Sequence, residues 1–311
     1  MSPLRQALED YLALRQALGF KLAEARTRLP QFVEFLERQG HTFITTEWAV
    51  CWATHPQHVQ PAEWARRLRW VRGFARYHSA LDSRTEVPPT GLLPYRSQRH
   101  TPYCYSDAEI AQLLDAARHL PSSTGLRAHT YDTVFGLLVV TGMRISELVR
   151  LDHSDVDLAS SLLTIRHTKF RKSRCLPLHR TTQQALSWYV GQRDRVYPLP
   201  QSPSFFVSEH GRRLTTWAVR ATFIQLSRQI GLRSPHDSHG PRLHDFRHRF
   251  AVQTLVRWYR EDIDVDRHLP ELSTYLGHVK VSDTYWYLSA TPELLGLATQ
   301  RLEQAHRRLP S

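Results

Sequence analysis

Cysteine is scarce in this chain: three residues in 311, Cys51, Cys104 and Cys175, far apart and odd in number. Such a set frames neither a disulfide scaffold nor a cysteine-based zinc site, and it points to a reducing interior. Long apolar runs are missing as well. The longest, Val134 to Val140, contains Gly136 and is far too short to span a bilayer. Residues Met1 to Leu12 alternate charged and apolar positions at helical spacing without an unbroken apolar stretch, so no secretory leader is expected there. No lipidation signal or basic amphipathic terminus suggests a membrane partner. Acidic residues are outnumbered, 29 Asp and Glu against 41 Lys and Arg, for a formal net charge of +12. That surplus implies a polyanionic partner, nucleic acid ahead of lipid. Internal repeats, low-complexity tracts and acidic clusters with metal-site spacing are not found.

What the chain does have is length and apolar content sufficient for two cored domains, with 41% hydrophobic residues. A first helix carries Leu4, Leu8, Tyr11, Leu12 and Leu18 on one stripe and ends at Gly19. A second, with Leu22, Ala25, Leu29, Phe32, Phe35 and Leu36, runs to Gly40, and Pro30 should kink it or split it in two. A third spans Thr46 to His55. A fourth opens at Pro61 and runs to about Leu81 with Trp64, Leu68, Val71 and Ala75 inward. It also bears Arg66, Arg67, Arg69, Arg72 and Arg76 against the single acid Glu63. A run of arginines is often only a wet surface; Arg66, Arg69, Arg72 and Arg76 are equally suited to contacting phosphates. Residues 1 to 81 thus read as one helical unit, and the proline-punctuated stretch 82 to 102 as an extended linker.

A second domain, residues 103 to 290, opens on the capping box Ser106 to Glu109. A buried helix over 130 to 140 ends at Gly142, which places Arg144 at the start of a helix turning Ile145, Leu148 and Val149 inward. Strand-like pieces at Val156 to Leu158, Leu162 to Arg166 and Ser173 to Leu178 predict a small antiparallel sheet. Lys169, Arg171 and Lys172 charge its hairpin tip, either as protection of a sheet edge or to reach into a groove. Helices follow over Thr182 to Tyr197 and Thr215 to Ile230, and a loop over Ser234 to Pro241 leads into a helix containing His244. Beyond residue 290, Thr291 and Pro292 open a last helix over 291 to 311. Its stripe Leu295, Ala298, Leu302, Ala305 and Leu309 either covers its own domain or docks on a neighbouring protomer.

His244 and Arg247 stand three apart on one helix face and can hold one anion. His278 follows Gly277 and precedes Tyr287 by nine residues, a spacing that fits a turn and a short helix with Ser282 as N-cap. A phenol returned to an Arg/His cluster suits attack on a phosphodiester. Its ordinary pKa near 10 needs cationic neighbours, and arginine forks onto the oxygens of a phosphorane. Taken singly, such a pair is usually a solvated face and a Tyr-Trp-Tyr run usually packing.

Together the motifs closely resemble the tyrosine recombinase (phage integrase) family: Thr141-Gly142-Met143-Arg144-Ile145-Ser146-Glu147-Leu148, Lys169 eight residues before Pro177, His244-x-x-Arg247, Leu276-Gly277-His278 and Tyr287, in order between roughly 103 and 290. The resemblance implies a mainly α fold with a small antiparallel β-sheet, a helical core-binding (SAM-like) domain joined to an α+β catalytic domain, the two clamping a duplex. It implies that Arg144 and Arg247 hold the scissile phosphate and that His244 and His278 hydrogen-bond its oxygens. Tyr287 would attack to form a 3′-phosphotyrosyl bond, Lys169 would protonate the departing 5′-oxygen, and Glu147 would support the site. Neither metal nor nucleotide cofactor is implied. The expected partners are double-stranded DNA, further copies of the chain in a tetramer, and accessory DNA-bending or directionality proteins. The expected location is the cytoplasm, nucleoid-associated when on DNA, and the role is moving or integrating a mobile element.

Two departures accompany the resemblance. Phe170 stands where such hairpins often have glycine, which brings Arg171 and Lys172 near the role of Lys169, although arginine makes a useless proton donor. Tyr285 competes with Tyr287, and the nine-residue spacing from His278 favours the latter. Rival readings are a type IB topoisomerase, a catalytically silent DNA-binding relative, and a zinc enzyme drawing on His236, His239, His244 and His248. The last lacks the glutamate of a His-Glu-x-x-His helix.

Overall fold

The computed structural model describes residues 2–95, 102–166, 173–199, 201–237, 240–289 and 291–307. The chain divides into two compact units, residues 1–100 and 101–311. It is mostly helical with one three-stranded antiparallel sheet. Among the described residues no helix is long and apolar enough to cross a membrane.

Four helices build the first unit: α1 (Pro3–Ala17), α2 (Ala23–Arg38), α3 (Thr46–Thr54) and α4 (Pro61–His78). Ser2 and Thr45 cap α1 and α3 by accepting from the amides of Arg5 and Trp48, and proline stands at the first turn of α1 and α4. Leu8, Leu29, Phe32, Leu36, Trp52, Leu68, Val71 and Phe74 bury the apolar stripes that the sequence predicts. The expected split at Pro30 does not occur: α2 runs through it unbroken. The buried ring of neighbours Leu29, Phe32 and Val33 holds the turn whose backbone bond proline deletes.

Residues 82–95, within the stretch read as an extended linker, are fastened to the helices. The Glu86 amide donates to Ile44 O at 2.8 Å, Thr85 Oγ1 lies 2.7 Å from His78 Nδ1, and Arg72 donates to the carbonyls of Pro88 and Pro89 at 2.6 and 2.7 Å. Proline-rich chain without repeating donors is fastened here by side chains from the helices.

The second unit begins at α5 (Asp107–Arg118), whose capping box Ser106/Glu109 forms as predicted, and α6 (Leu126–Thr141). The short α7 (Ile145–Leu148) leads to β1 (Val156–Asp157), β2 (Leu162–Ile165) and β3 (Arg174–Pro177), with Leu163 opposite Leu176. Then come α8 (Arg180–Val196), α9 (Thr216–Gln229), α10 (Leu243–Arg260), α11 (Val265–Leu276), α12 (Ser282–Tyr285), a 3-10 turn at Trp286–Ser289, and α13 (Pro292–Arg307). One core gathers Phe135, Leu138, Leu163, Leu176, Tyr189, Phe206, Phe223 and Phe246. A second, between α10 and α11, takes in Val252, Leu255, Leu269, Leu276, Leu294 and Tyr287.

Three particulars depart from the sequence reading. No element was predicted over 265–276, where α11 forms around an internal Pro270 and is capped by Asp264, which accepts from the Arg267 amide at 3.2 Å. Ser282 is the first residue of α12, not its cap; Val281 holds that place and offers no side-chain bond. The last helix is anchored by Leu294 and Leu297 and by an Arg260–Glu293 ion pair of 2.7 Å, whereas Leu295 is about half exposed. The side chains of Leu302, Ala305 and Leu309 lie outside the described residues.

Candidate active site

The site is assembled where two chain reversals meet. Helix α6 ends at Gly142, whose φ of +59° and whose approach to Phe250, 2.9 Å from where a Cβ would stand, suit only glycine. Two residues on, Arg144 caps α7, its amide donating to Glu147 Oε2 at 3.0 Å and its guanidinium to Glu147 Oε1 at 2.8 Å. Helix α11 ends at Gly277 in the left-handed region, φ +69°. This turn supplies two carbonyls, one to each arginine. Leu276 O accepts from Arg247 at 2.6 Å and Gly277 O accepts from Arg144 at 3.1 Å. Arg247 is 2% exposed and also donates to Gly142 O at 3.0 Å. The two guanidinium groups therefore share one scaffold although the chain separates them by about a hundred residues.

Tyr287, also 2% exposed, completes the group. Burial pushes its phenol above the ordinary value, and the charge of Arg247, together with a hydrogen bond from it, pulls the other way, followed by Arg144. The His278 ring stacks on Tyr287 with centroids 6.0 Å apart and planes 19° apart, and its Nδ1 lies 2.7 Å from the buried Thr284 hydroxyl. One turn before Arg247, His244 meets His248 edge to face at 4.9 Å, and His248 in turn lies 5.5 Å from Tyr287. Tyr285, two residues away, is half exposed.

Electrostatics follow from this crowding. Burial lowers Arg247 to about 10, with Arg144 adding repulsion, so the group stays charged at neutral pH. Burial raises the Glu147 carboxyl, but Arg174, by hydrogen bond and charge, and then Arg144 more than offset it and hold it below the usual range. His244 and His278 are driven to about 4 by burial first and by Arg247 after it, and His248 to about 3 by burial first and by His244 and then Arg242 after it. The outward face of His244 remains open to solvent even though protein atoms crowd its other sides. At pH 7 the imidazoles are neutral, and the cationic charge resides on guanidinium groups.

The pH dependence of stability has a definite sign. A histidine whose folded pKa lies near 4 binds fewer protons folded than unfolded between that value and about 6.5. Stability is full above pH 6.5 and should decline as the pH falls from 6.5 towards 4. Chemical denaturation at stepped pH should show this decline, and it should shrink in His278→Gln; a flat profile in that window contradicts it.

Of the residues named from sequence, Arg144, Glu147, His244, Arg247, His278 and Tyr287 are brought together. Lys169, Arg171 and Lys172 lie outside the described residues, and so does His239. Arg66, Arg69, Arg72 and Arg76 stand on α4 of the first unit. Arg66 pairs with Glu63, Arg72 is committed to the two proline carbonyls, and Arg69 and Arg76 are exposed.

One residue of the cluster escapes the sequence reading, Arg174; His248, read there only as a possible zinc ligand, joins it with its Nδ1 buried without a partner among the described residues. Arg174 grips both oxygens of Glu147, at 3.1 and 2.8 Å, and donates through Nε to Tyr275 O at 2.8 Å. Its signal was an arginine opposite Ile165 in a strand that also sets Leu176 against Leu163, a place where a withdrawn charge needs a carboxylate partner. Gly277 marks the tightness of the joint, since a Cβ there would stand 2.7 Å from a terminal nitrogen of Arg174. Gly277→Ala should cost about 1–3 kcal/mol through backbone strain and displace both arginine contacts. Melting together with DNA cleavage measures both effects, and an alanine variant of unchanged stability would contradict this geometry.

Residues 105–293 match the phage integrase family model, and the chain belongs to that family. Over 309 residues it is 50% identical to a provisionally named integrase/recombinase of Sinorhizobium fredii, y4rB, covering 98% of each chain. It is 28% identical over 300 residues to the tyrosine recombinase XerC of Herpetosiphon aurantiacus, covering 91% and 90%. Among solved structures, the integrase of transposon Tn1549 in complex with transposon right end DNA shares the fold, with a TM-score of 0.66 at 15% identity over 96% of this chain and 98% of that one.

Proposed function

We propose that the chain is a site-specific DNA recombinase that cuts and rejoins strands through a 3′-phosphotyrosyl intermediate. The observation that carries this is the buried Tyr287 phenol, set in the field of Arg247, which shares the 276–277 turn with Arg144. Two fixed cations beside a nucleophile match the needs of a phosphorane, whose equatorial oxygens gain negative charge. Tyr287 Oη forms the bond to phosphorus and the P–O5′ bond breaks. The phenolic proton passes to a neutral imidazole of the cluster, and the 5′-oxygen takes a proton from Lys169. Neutral His244 and His278 bind non-bridging oxygens. Because the phosphotyrosyl ester retains the bond energy, attack by a 5′-hydroxyl reverses the sequence and rejoins the strand.

The reading is supported by the named relatives and by a basic surface. Residues 1–81 act as the core-binding domain, the copies assemble on DNA as a tetramer, accessory DNA-bending or directionality proteins take part, and the natural role is transfer of a mobile element. The test is to mix two differently labelled duplexes carrying candidate element ends. Joined recombinants bearing both labels support recombination; relaxation of supercoils without exchange points to a topoisomerase, and binding alone to a silent relative.

On α4 the exposed Arg69 and Arg76 are the phosphate contacts that remain uncommitted to carbonyls or carboxylates among the four arginines named there. Replacing both by alanine should weaken cognate and random duplexes alike and reduce the slope of log K against log salt by about two. Fluorescence anisotropy over a salt series reads this, and an unchanged slope removes α4 from the interface.

A further inference from the structure

We infer that Arg174 is a positioning residue of this site, one that holds Glu147 so that Arg144 stays turned towards the phosphate; this rests on the strand-cleavage reading above. A carboxylate next to a guanidinium favours the two-pronged pairing. Arg144, three residues before Glu147, would be the obvious partner for that fork. Arg174 occupies it instead, with its terminal nitrogens on Oε1 and Oε2. Arg144 is left one side-chain bond to Glu147 and one to Gly277 O, so three of its five N–H donors have no partner among the described residues.

Charge tells the same story. Glu147 is a buried negative charge among three guanidinium groups, and only that of Arg174 spans both of its oxygens, at 3.1 and 2.8 Å, while that of Arg144 reaches Oε1 alone, at 2.8 Å. With that charge satisfied by Arg174, those of Arg144 and Arg247 remain for the phosphorane. Arg174 itself is withdrawn: its side chain is 10% exposed against 32% for Arg144. It lies behind the clamp, and its Nε bond to Tyr275 O ties β3 to the turn that feeds both arginines. The residue acts through Glu147 and not on the phosphate.

Without Arg174, Glu147 would draw Arg144 into the fork, at once turning its donors inward and cancelling its charge. The prediction concerns the chemical step more than DNA affinity, and it depends on Glu147 being present. The experiment is single-turnover formation of the covalent adduct on a duplex nicked near the cleavage point, comparing wild type, R174Q, R174K, E147Q and the double variant E147Q/R174Q, with affinity and melting followed in parallel.

R174Q should slow adduct formation at saturating DNA by about a hundredfold, the scale of losing one transition-state donor, with affinity within about threefold. R174K, which keeps the charge and loses the fork, should fall between. In the E147Q background the added R174Q change should cost much less than it does in wild type, because no carboxylate is left to capture Arg144. The inference is overturned if R174Q cleaves at the wild-type rate, or if the two losses simply multiply, which would make Arg174 a brace acting through Tyr275. Should R174Q not fold, R174K decides alone: slowing by about tenfold or more supports the role, and an unchanged rate overturns it. Absence of any adduct in wild type would overturn the cleavage reading and this inference with it; an adduct insensitive to Arg174 overturns the inference alone.

Discussion

Tyr287→Phe is expected to abolish the covalent protein–DNA adduct while leaving the fold and DNA binding in place. The substitution removes one oxygen from a ring that is 2% exposed and packed among His278, His248 and Trp286. The rings keep their contacts, and Arg247 keeps its bonds to Gly142 O and Leu276 O. The stability cost should not exceed the scale of one hydrogen bond, about 1 kcal/mol. Loss of the attacking atom, by contrast, should lower cleavage on the order of a millionfold, as for the removal of other enzymic nucleophiles. Tyr285→Phe is the matched control, since that phenol is half exposed and stands outside the cluster; its cleavage should stay within about twofold. Denaturing gels of a nicked duplex read both. Adduct in the Tyr287 variant, or its disappearance only in the Tyr285 variant, would transfer the chemistry elsewhere.

Arg247→Lys should show the second large effect, and here activity and stability fall together. Lysine keeps the charge but cannot span the Gly142 and Leu276 carbonyls, which a single guanidinium bridges at 3.0 and 2.6 Å. One buried carbonyl is left without its donor, at about 1–3 kcal/mol. The planar fork towards phosphate is lost as well, so cleavage should drop by about 10² to 10³. Urea denaturation with single-turnover cleavage separates the two. A lysine variant that cleaves within about tenfold of wild type would show that charge alone suffices and that the bridge is dispensable.

Much of this could be read from the chain before any coordinates, because the site's signals are local. Arg144 follows a helix-ending glycine, His244 and Arg247 share one helical turn, and His278 follows Gly277; each pattern is a matter of a few residues. The helices of the first unit were legible for the same reason, with apolar stripes at a 3.6-residue period ending at Gly19 and Gly40. What escaped depends on distance along the chain. Arg174 has meaning only through Glu147 and Tyr275, which are 27 and 101 residues away. Likewise the fastening of 82–95 to α4 is made by side chains to carbonyls and leaves no periodic trace. Helix α11 was hidden by Pro270, which reads as a breaker but here lies inside a helix held by a buried face of Val265, Leu269, Leu272 and Leu276. On the final helix Leu294, outside the stripe read from the sequence, is the buried residue and Leu295 is half exposed, because a spacing of three or four fits both phases until the partner surface is known.

The bridge from Arg247 to Gly142 O and Leu276 O makes one arginine serve as both a reagent and a keystone. A gene copy released from selection for activity would not shed its chemistry at random. The phenol of Tyr287 can decay to phenylalanine at little cost to folding, whereas losing Arg247 unfastens two chain reversals at once. Inactive descendants of this protein should therefore keep the keystone long after the nucleophile has gone, and a chain with the arginine intact but no tyrosine would be the fossil of an enzyme.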